Sequence, residues 1–333
     1  MGCREFLESS DSDSHKAWAL VDFASWCCAS ERNLANTISG KFAAVQYFHR
    51  LNVGVELPVT APVVQCALKG IARSHVAAGT PRRVRLPVSF GMLLTGESLV
   101  PSWGQEGKVL WLCLCLSYFF LTRSDEMFAA DSGAVHDVHC LTRGDVAFYA
   151  QGTQVENGRW QQADKVEVRF KGHKGDQEQI GSVRVRTRDE VCGSRSSYRA
   201  DGGAVALMLE LMSCFPGLPD HAPLSSYRCG SSVRVVRYGR ALRAVKEVVA
   251  KSGRNPDEFA LHSLRIGGAT TLAAGGDVSE RVIQREGRWR SDAYKAYTRN
   301  NIEDARRVSR KLGVASGGKE REPGEGTIWG RKR

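Results

Sequence analysis

The stretch EGRWRSDAYKAYTRNN, residues 286–301, sets Tyr294 and Tyr297 three positions apart beside Trp289 and several arginines. Each phenol is either a packing aromatic or a nucleophile. With a free pKa of about 10, a phenol attacks poorly at neutral pH unless a base or a strongly positive field stands beside it. Other parts of the chain carry such groups. The segment HSLR places His262 and Arg265 three apart, on one face of a helix. Arg123, with Glu126 three residues on, follows a long apolar run, and Lys174 stands in a polar, glycine-rich segment between two strand-like stretches. Taken singly, each has a plain structural reading: His262 as a helix cap, Arg123 paired to Glu126 on a helix surface, Trp289 as core. Together they assemble guanidiniums, an imidazole, an ammonium and a phenol, groups suited to reaction at an anionic centre.

Their order along the chain resembles the tyrosine recombinase, or phage integrase, family. The hallmarks of that family are an early Arg with a nearby acidic residue, a β-hairpin Lys, an HxxR motif, a His or Trp, and a nucleophilic Tyr. The resemblance covers residues 86 to 312 and is strongest over 262 to 299. There HSLRIGGAT and the run from GRW through SDAY to Tyr297 and Arg299 are most similar to the recombinases of eukaryotic DIRS-type mobile elements. It implies a mainly α fold with a small β-sheet, an α+β class. A helical bundle similar to the family's core-DNA-binding domain precedes the catalytic domain.

The resemblance also assigns roles, and each has a chemical reason. Arg123 and Arg265 would stabilise the charge that builds on the phosphate oxygens during attack. His262 would accept the phenolic proton, and Lys174, on a mobile hairpin in a cationic site, would give a proton to the departing 5′ oxygen. Trp289 would offer its indole N–H where many relatives have His. The arginines supply the positive charge, so neither metal nor cofactor is expected. Tyr297 is the expected nucleophile, because the family places it about nine residues beyond the His or Trp and Trp289 lies eight before it; Tyr294, at five, is too near and is expected to pack beside it. Lys171 competes with Lys174, and Asp125 with Glu126 as the carboxylate that orients Arg123.

Composition fits a polyanionic partner. The formal net charge of +11 arises from 47 Lys and Arg against 36 Asp and Glu. Such a bias favours nucleic acid through counterion release, with a basic protein lacking any such partner as the bland alternative. The ten cysteines include no CxxC pair and read as reduced, mostly buried residues. The polar N-terminus lacks a signal-peptide core, and VLWLCLCLSYFFLT at 109–122 is short of a bilayer span, so it reads as a buried helix of an intracellular protein. The flavour of the motifs and the basic end GRKR point to the nucleus.

Periodicity supplies the elements that must hold these residues. Three or four short helices occupy residues 1–79, with Asn36 or Thr37 starting the second and Pro62 in the first turn of the third. Residues 80–88, with their prolines and arginines, read as a basic interdomain linker; residues 89–313 form the catalytic domain; residues 314–333 read as a disordered tail. KVEVRFK and GSVRVRT alternate as the strands of a hairpin, and helices return from residue 200, including one over SVRVVRYGRALRAVKEVVAKSG. The turn before the first family Arg is often Thr-Gly-Leu; here it is Phe120-Leu121-Thr122. Residues 188–199 read as an insertion or irregular loop.

The expected function is site-specific breakage and rejoining of double-stranded DNA through a 3′-phosphotyrosine, by protomers assembling as a tetramer on two sites. The segment after Tyr297 is a candidate helix for docking on a neighbouring protomer. Two rivals remain open: a recombinase-derived DNA-binding protein without activity, and a type IB topoisomerase that relaxes DNA as a monomer.

Overall fold

The computed structural model describes residues 7–79, 85–132, 139–156, 159–172, 181–188, 203–275, 278–289 and 294–295. The chain divides into two units, Met1–Arg83 and Val84–Arg333.

The first unit is built of three helices, α1 (Asp13–Ala29), α2 (Ala35–Val53) and α3 (Pro62–Ala77). Ser12 caps α1 by accepting the His15 N–H, and Gly54, at φ 68°, ends α2 in the left-handed conformation. Pro62 takes the first helical position of α3, where its missing N–H has no partner to lose. The second helix starts at Ala35, just before the expected Asn36 or Thr37. Leu20, Ala24 and Cys27 of α1, Ile38 and Phe42 of α2, and Val64 and Leu68 of α3 close a small core of their own.

The second unit is mainly helical with a small antiparallel sheet, the expected class. Its centre is α5 (Gly107–Phe119), buried on every face from Val109 to Tyr118, which is why its sequence is apolar throughout rather than on one stripe. Around it stand α4 (Phe90–Gly96), α7 (Gly203–Cys214), α8 (Tyr238–Lys251) and α9 (His262–Gly275), with the short α6 (Ser124–Met127) and α10 (Glu280–Glu286) at one end. Residues 85–88 run extended along this unit, the Leu86 and Val88 amides donating to the carbonyls of Glu258 and Ser263.

The sheet runs β2-β1-β3-β4, with β1 (Val146–Ala150), β2 (Thr153–Val155), β3 (Lys165–Phe170) and β4 (Ser182–Thr187). The β3/β4 pair is the expected hairpin, Val168 lying opposite Arg184 and Val166 opposite Arg186. On β3 the apolar residues Val166, Val168 and Phe170 face inward, whereas on β4 Val183 and Val185 face solvent and Arg184 is buried. The inversion has a reason: the inner face of β4 abuts two helix C-termini whose last carbonyls need donors. Arg186 gives two hydrogen bonds, of 3.1 and 2.7 Å, to the Phe119 carbonyl at the end of α5. Arg184 donates to the Arg285 and Glu286 carbonyls at the end of α10.

Two corrections concern helix limits. The single helix expected from Ser232 begins only at Tyr238; Ser232–Val235 is instead strand β6, paired with β5 (Ser226–Cys229) around Gly230 at φ 60°. Cross-strand pairing wins there because the segment alternates in period two. The central helix ends at Phe119 rather than 122, because Leu121 takes φ +49°. Among the described residues no helix is long and apolar enough to cross a membrane.

Candidate active site

Arg123 follows the turn that closes α5. Leu121, left-handed and fully buried, occupies the middle of the Phe120-Leu121-Thr122 turn, where a glycine would carry no Cβ penalty. The cationic groups that hold this turn are all arginines. Arg186 binds the Phe119 carbonyl, Arg265 donates from Nη1 to the Leu121 carbonyl at 2.8 Å, and Arg288 reaches the Phe120 and Leu121 carbonyls at 3.5 and 3.3 Å. Arg123 then opens α6, and Glu126 folds back on it. One Glu126 oxygen accepts the Arg123 backbone N–H at 2.7 Å, half of a capping box, and the other accepts Arg123 Nη1 at 2.8 Å. The Glu126 side chain is 2% exposed and that of Arg123 is 30% exposed, so the acid is interior while the guanidinium it orients still reaches solvent.

Arg265 comes from α9, which lies unusually close to its neighbours. A Cβ on Gly267 would overlap the Val88 carbonyl, and one on Gly268 would overlap the Tyr118 carbonyl and the Leu121 side chain. Gly267 therefore lets α9 close on the extended segment at Val88, and Gly268 lets it press against the end of α5, which brings buried Arg265 to the Arg123 turn. Its other Nη donates to the Gly287 carbonyl, and its guanidinium lies over the Trp289 ring, 4.6 Å from the centroid. Trp289 thus meets Arg265 through its ring face.

Sequence reading passed over Arg288. It is buried, and its Nη2 pairs with Glu126 Oε2 at 2.5 Å, while its guanidinium stacks over Phe170 at 3.7 Å. Burial pulls its pKa down to about 9, against the raising influence of Glu126 and helped by the nearby charges of Arg265, Arg123 and Arg184. One signal could have found it: Arg288 lies nine residues before Tyr297, the family interval that Trp289 misses by one. Arg184 and Arg186 were also missed as site-positioning residues, because alternating Val and Arg reads the same whichever set faces inward.

His262, at the start of α9, is exposed. Desolvation by its surroundings, then the positive charges of Arg265 and Arg123, lowers its pKa from the ordinary histidine value. It is therefore neutral at pH 7 and able to accept a proton. The influence of both arginines on this imidazole puts His262, Arg265 and Arg123 in one electrostatic neighbourhood.

Lys174 and Tyr297 lie outside the described residues, as do residues 80–84, residues 189–200, the segment after Tyr297 and the tail. The competing residues of each pair can be placed. Lys171 makes an ion pair of 2.9 Å with Asp145, whose carboxylate also accepts from the Thr142 amide and hydroxyl. Tyr294 is buried, its hydroxyl donating to Glu280 at 2.5 Å and its ring 6.3 Å from that of Trp289. Asp125, beside Glu126 in α6, makes no ion pair with Arg123 among the described residues.

A cavity of about 910 Å³ opens at the start of α8, lined by Arg234, Arg237, Arg240 and Arg243 with Glu106 and Asp131. It is joined to the α6 segment by backbone, Tyr238 N–H donating to the Ala129 carbonyl at 2.8 Å. None of Arg123, His262, Arg265 or Trp289 lines it. Among the described residues no group of three His, Cys, Asp or Glu side chains is arranged to hold a metal.

A solved structure shares this architecture. The XerH site-specific recombinase bound to palindromic difH substrate, in its post-cleavage complex, aligns with a TM-score of 0.50 at 14% identity over 90% of this chain and 72% of that one. The fold is that of a tyrosine recombinase. The XerA recombinase aligns over 91% of this chain and 85% of its own at 14% identity, TM-score 0.43. The Tn1549 transposon integrase in complex with transposon right end DNA aligns over 94% of this chain and 88% of its own at 10% identity, TM-score 0.48. No protein-family model matches the sequence, and no curated protein does. Within the tyrosine recombinase fold, the segments brought together here are the end of α5, the start of α9 and the turn after α10.

Proposed function

We propose that this protein is a site-specific DNA recombinase that breaks and rejoins double-stranded DNA through a covalent 3′-phosphotyrosine. The observation that carries the reading is the charge balance at the site. The charges of Arg123, Arg184 and Arg265 all bear on Arg288 beside the carboxylate of Glu126, and those of Arg265 and Arg123 bear on the exposed His262. Such an excess of fixed positive charge beside a neutral base is suited to a phosphodiester, whose oxygens gain charge during attack.

In this reading the Tyr297 oxygen attacks phosphorus, and its proton passes to His262. The bond from phosphorus to the 5′ oxygen breaks, and Lys174 protonates that oxygen. A second 5′-hydroxyl reverses the sequence on another strand, so no bond energy is lost and no external energy source is needed. Arg123 and Arg265 hold the phosphate oxygens, while Trp289 packs against Arg265. The engagement of Lys171 with Asp145 and of Tyr294 with Glu280 supports Lys174 and Tyr297 as the reacting pair. The arginine-lined cavity at the start of α8 extends the positive surface available to the DNA backbone. The helical first unit would clasp the duplex, and four protomers would assemble on two sites. A mobile-element origin of DIRS type and action in the nucleus complete the proposal.

Covalent capture tests it. The protein is incubated with fragmented DNA and denatured, and protein-linked ends are sequenced. Adducts at recurrent sequences with wild type and Tyr294→Phe, and none with Tyr297→Phe, are expected. Tight, salt-dependent binding without adducts, including on pre-nicked DNA, would instead establish a DNA-binding protein without strand cleavage. Relaxation of supercoiled DNA by the monomer would favour the topoisomerase reading.

A further inference from the structure

Arg288 is kept at a site where it weakens the fold in three ways. Its guanidinium is taken out of water, with the side chain 3% exposed. Its Nε–H is buried with no hydrogen-bond partner among the described residues. Its backbone sits at φ +56°, a left-handed conformation unfavourable for a residue with a Cβ. An apolar side chain could fill the same space against Phe170 without the first two costs. Strain and buried charge retained together mark positions where geometry matters more than stability.

The geometry that Arg288 supplies is specific. Its Nη2 holds Glu126 Oε2, the same oxygen that accepts the Arg123 amide, while Oε1 of that carboxylate accepts Arg123 Nη1. One residue earlier, the Gly287 carbonyl accepts from Arg265, and one residue later the Trp289 ring lies against that same guanidinium. Three consecutive residues therefore tie Arg265 to Glu126 and, through it, to Arg123.

We infer that Arg288 is a positioning residue, which never meets the substrate but sets the spacing and direction of Arg123 relative to Arg265 through the carboxylate of Glu126. The inference rests on the recombinase reading for its catalytic consequence. The Arg288 guanidinium is turned to Glu126 and the Phe170 ring, while Arg123 keeps 30% of its side chain exposed. Its removal should therefore slow cleavage without weakening DNA binding.

The test uses the full chain, with fragmented DNA for adduct formation and a short duplex of arbitrary sequence for affinity. Arg288→Met and Glu126→Gln should each slow adduct formation by about 10- to 100-fold, the size typical of losing a group that orients a catalytic side chain. Arg288→Lys, which restores the charge but not the planar fork, should recover part of the rate. Duplex affinity should stay at the wild-type value in all three. Arg288→Met leaves Glu126 short of a partner and can fail to fold, so the deciding variant is Arg288→Met with Glu126→Gln, which removes the pair together. A double-variant rate equal to that of Glu126→Gln alone supports the relay; a rate lower by the product of both effects overturns it. A fall in duplex affinity parallel to the rate also overturns it, making Arg288 a DNA contact. If wild type forms no adduct, the recombinase reading fails by itself. The spacing of Arg123 and Arg265 in a crystal structure of Arg288→Met then decides: a changed spacing supports the positioning role, and an unchanged one overturns it.

Discussion

The guanidinium of Arg265 lies over the indole of Trp289, 4.6 Å from the ring centroid, while its Nη1 donates to the Leu121 carbonyl. The ring therefore shields and orients a buried cation, an interaction worth about 2 kcal/mol when desolvated. Trp289→Ala should lower adduct formation by about 30-fold through this loss. Trp289→Phe, which keeps an aromatic face, should fall much less. Single-turnover rates on the captured site check both, and equal losses would show that the indole N–H, rather than the ring face, carries the role.

Leu121 sets two penalties against each other. Its left-handed backbone costs about 1–2 kcal/mol relative to glycine, but its buried side chain packs where Gly268 allows α9 to approach. Leu121→Ala keeps the backbone penalty and opens a cavity, with an expected loss of about 2–5 kcal/mol. Leu121→Gly opens the same space and relieves the backbone, so it should be less destabilising than the alanine variant by about 1 kcal/mol. Denaturant midpoints of the two variants decide, and a glycine variant no more stable than alanine would show that the turn is not strained.

Tyr294 and Tyr297 should separate by experiment into structure and chemistry. Tyr294→Phe removes the buried hydrogen bond to Glu280 and should cost about 1 kcal/mol, seen as a lower melting temperature. It should leave adduct formation intact. Tyr297→Phe should abolish adducts. Loss of adducts with Tyr294→Phe at an unchanged melting temperature would reverse the assignment.

His262 links the site to pH. Its folded-state pKa is lowered, by desolvation first and then by Arg265 and Arg123. On acidification the unfolded chain takes up this proton first, near its ordinary pKa of about 6.5. Stability should therefore fall as the pH drops below about 6.5, until the folded-state pKa is passed. In His262→Gln that part of the decline should be absent, measured as denaturant midpoints across the acid range. The same lowered pKa keeps the imidazole neutral at pH 7, so the acid limb of the adduct rate should lie below pH 6.5 and vanish with the glutamine variant.

Much of the second unit could be read from local pattern. The apolar run ending at Arg123 predicted a buried helix and alternation predicted the β3/β4 hairpin, while the α+β class was what the family resemblance implied. Pattern failed where two partners compete for one segment. Ser232–Val235 continues smoothly into α8 in sequence, yet it pairs with β5, since a strand partner across a tight glycine turn outweighs helix extension. On β4 the period of two was legible, but not which face was inside. That depended on two helix ends, at Phe119 and Glu286, arriving beneath the arginines.

The order of residue types along the chain, through its resemblance to the tyrosine recombinase family, singled out Arg123, Lys174, His262, Arg265, Trp289 and Tyr297 as candidates. Arg288 could not be singled out in that way. An arginine on a polar stretch reads as a surface charge until folding brings Glu126, 162 positions away, within 2.5 Å of it and removes both from water. Whether a charge is exposed or buried, and which single carboxylate two arginines share, is settled by long-range packing. In this chain the packing that settles it is the approach of α9 and the turn after α10 to the end of α5.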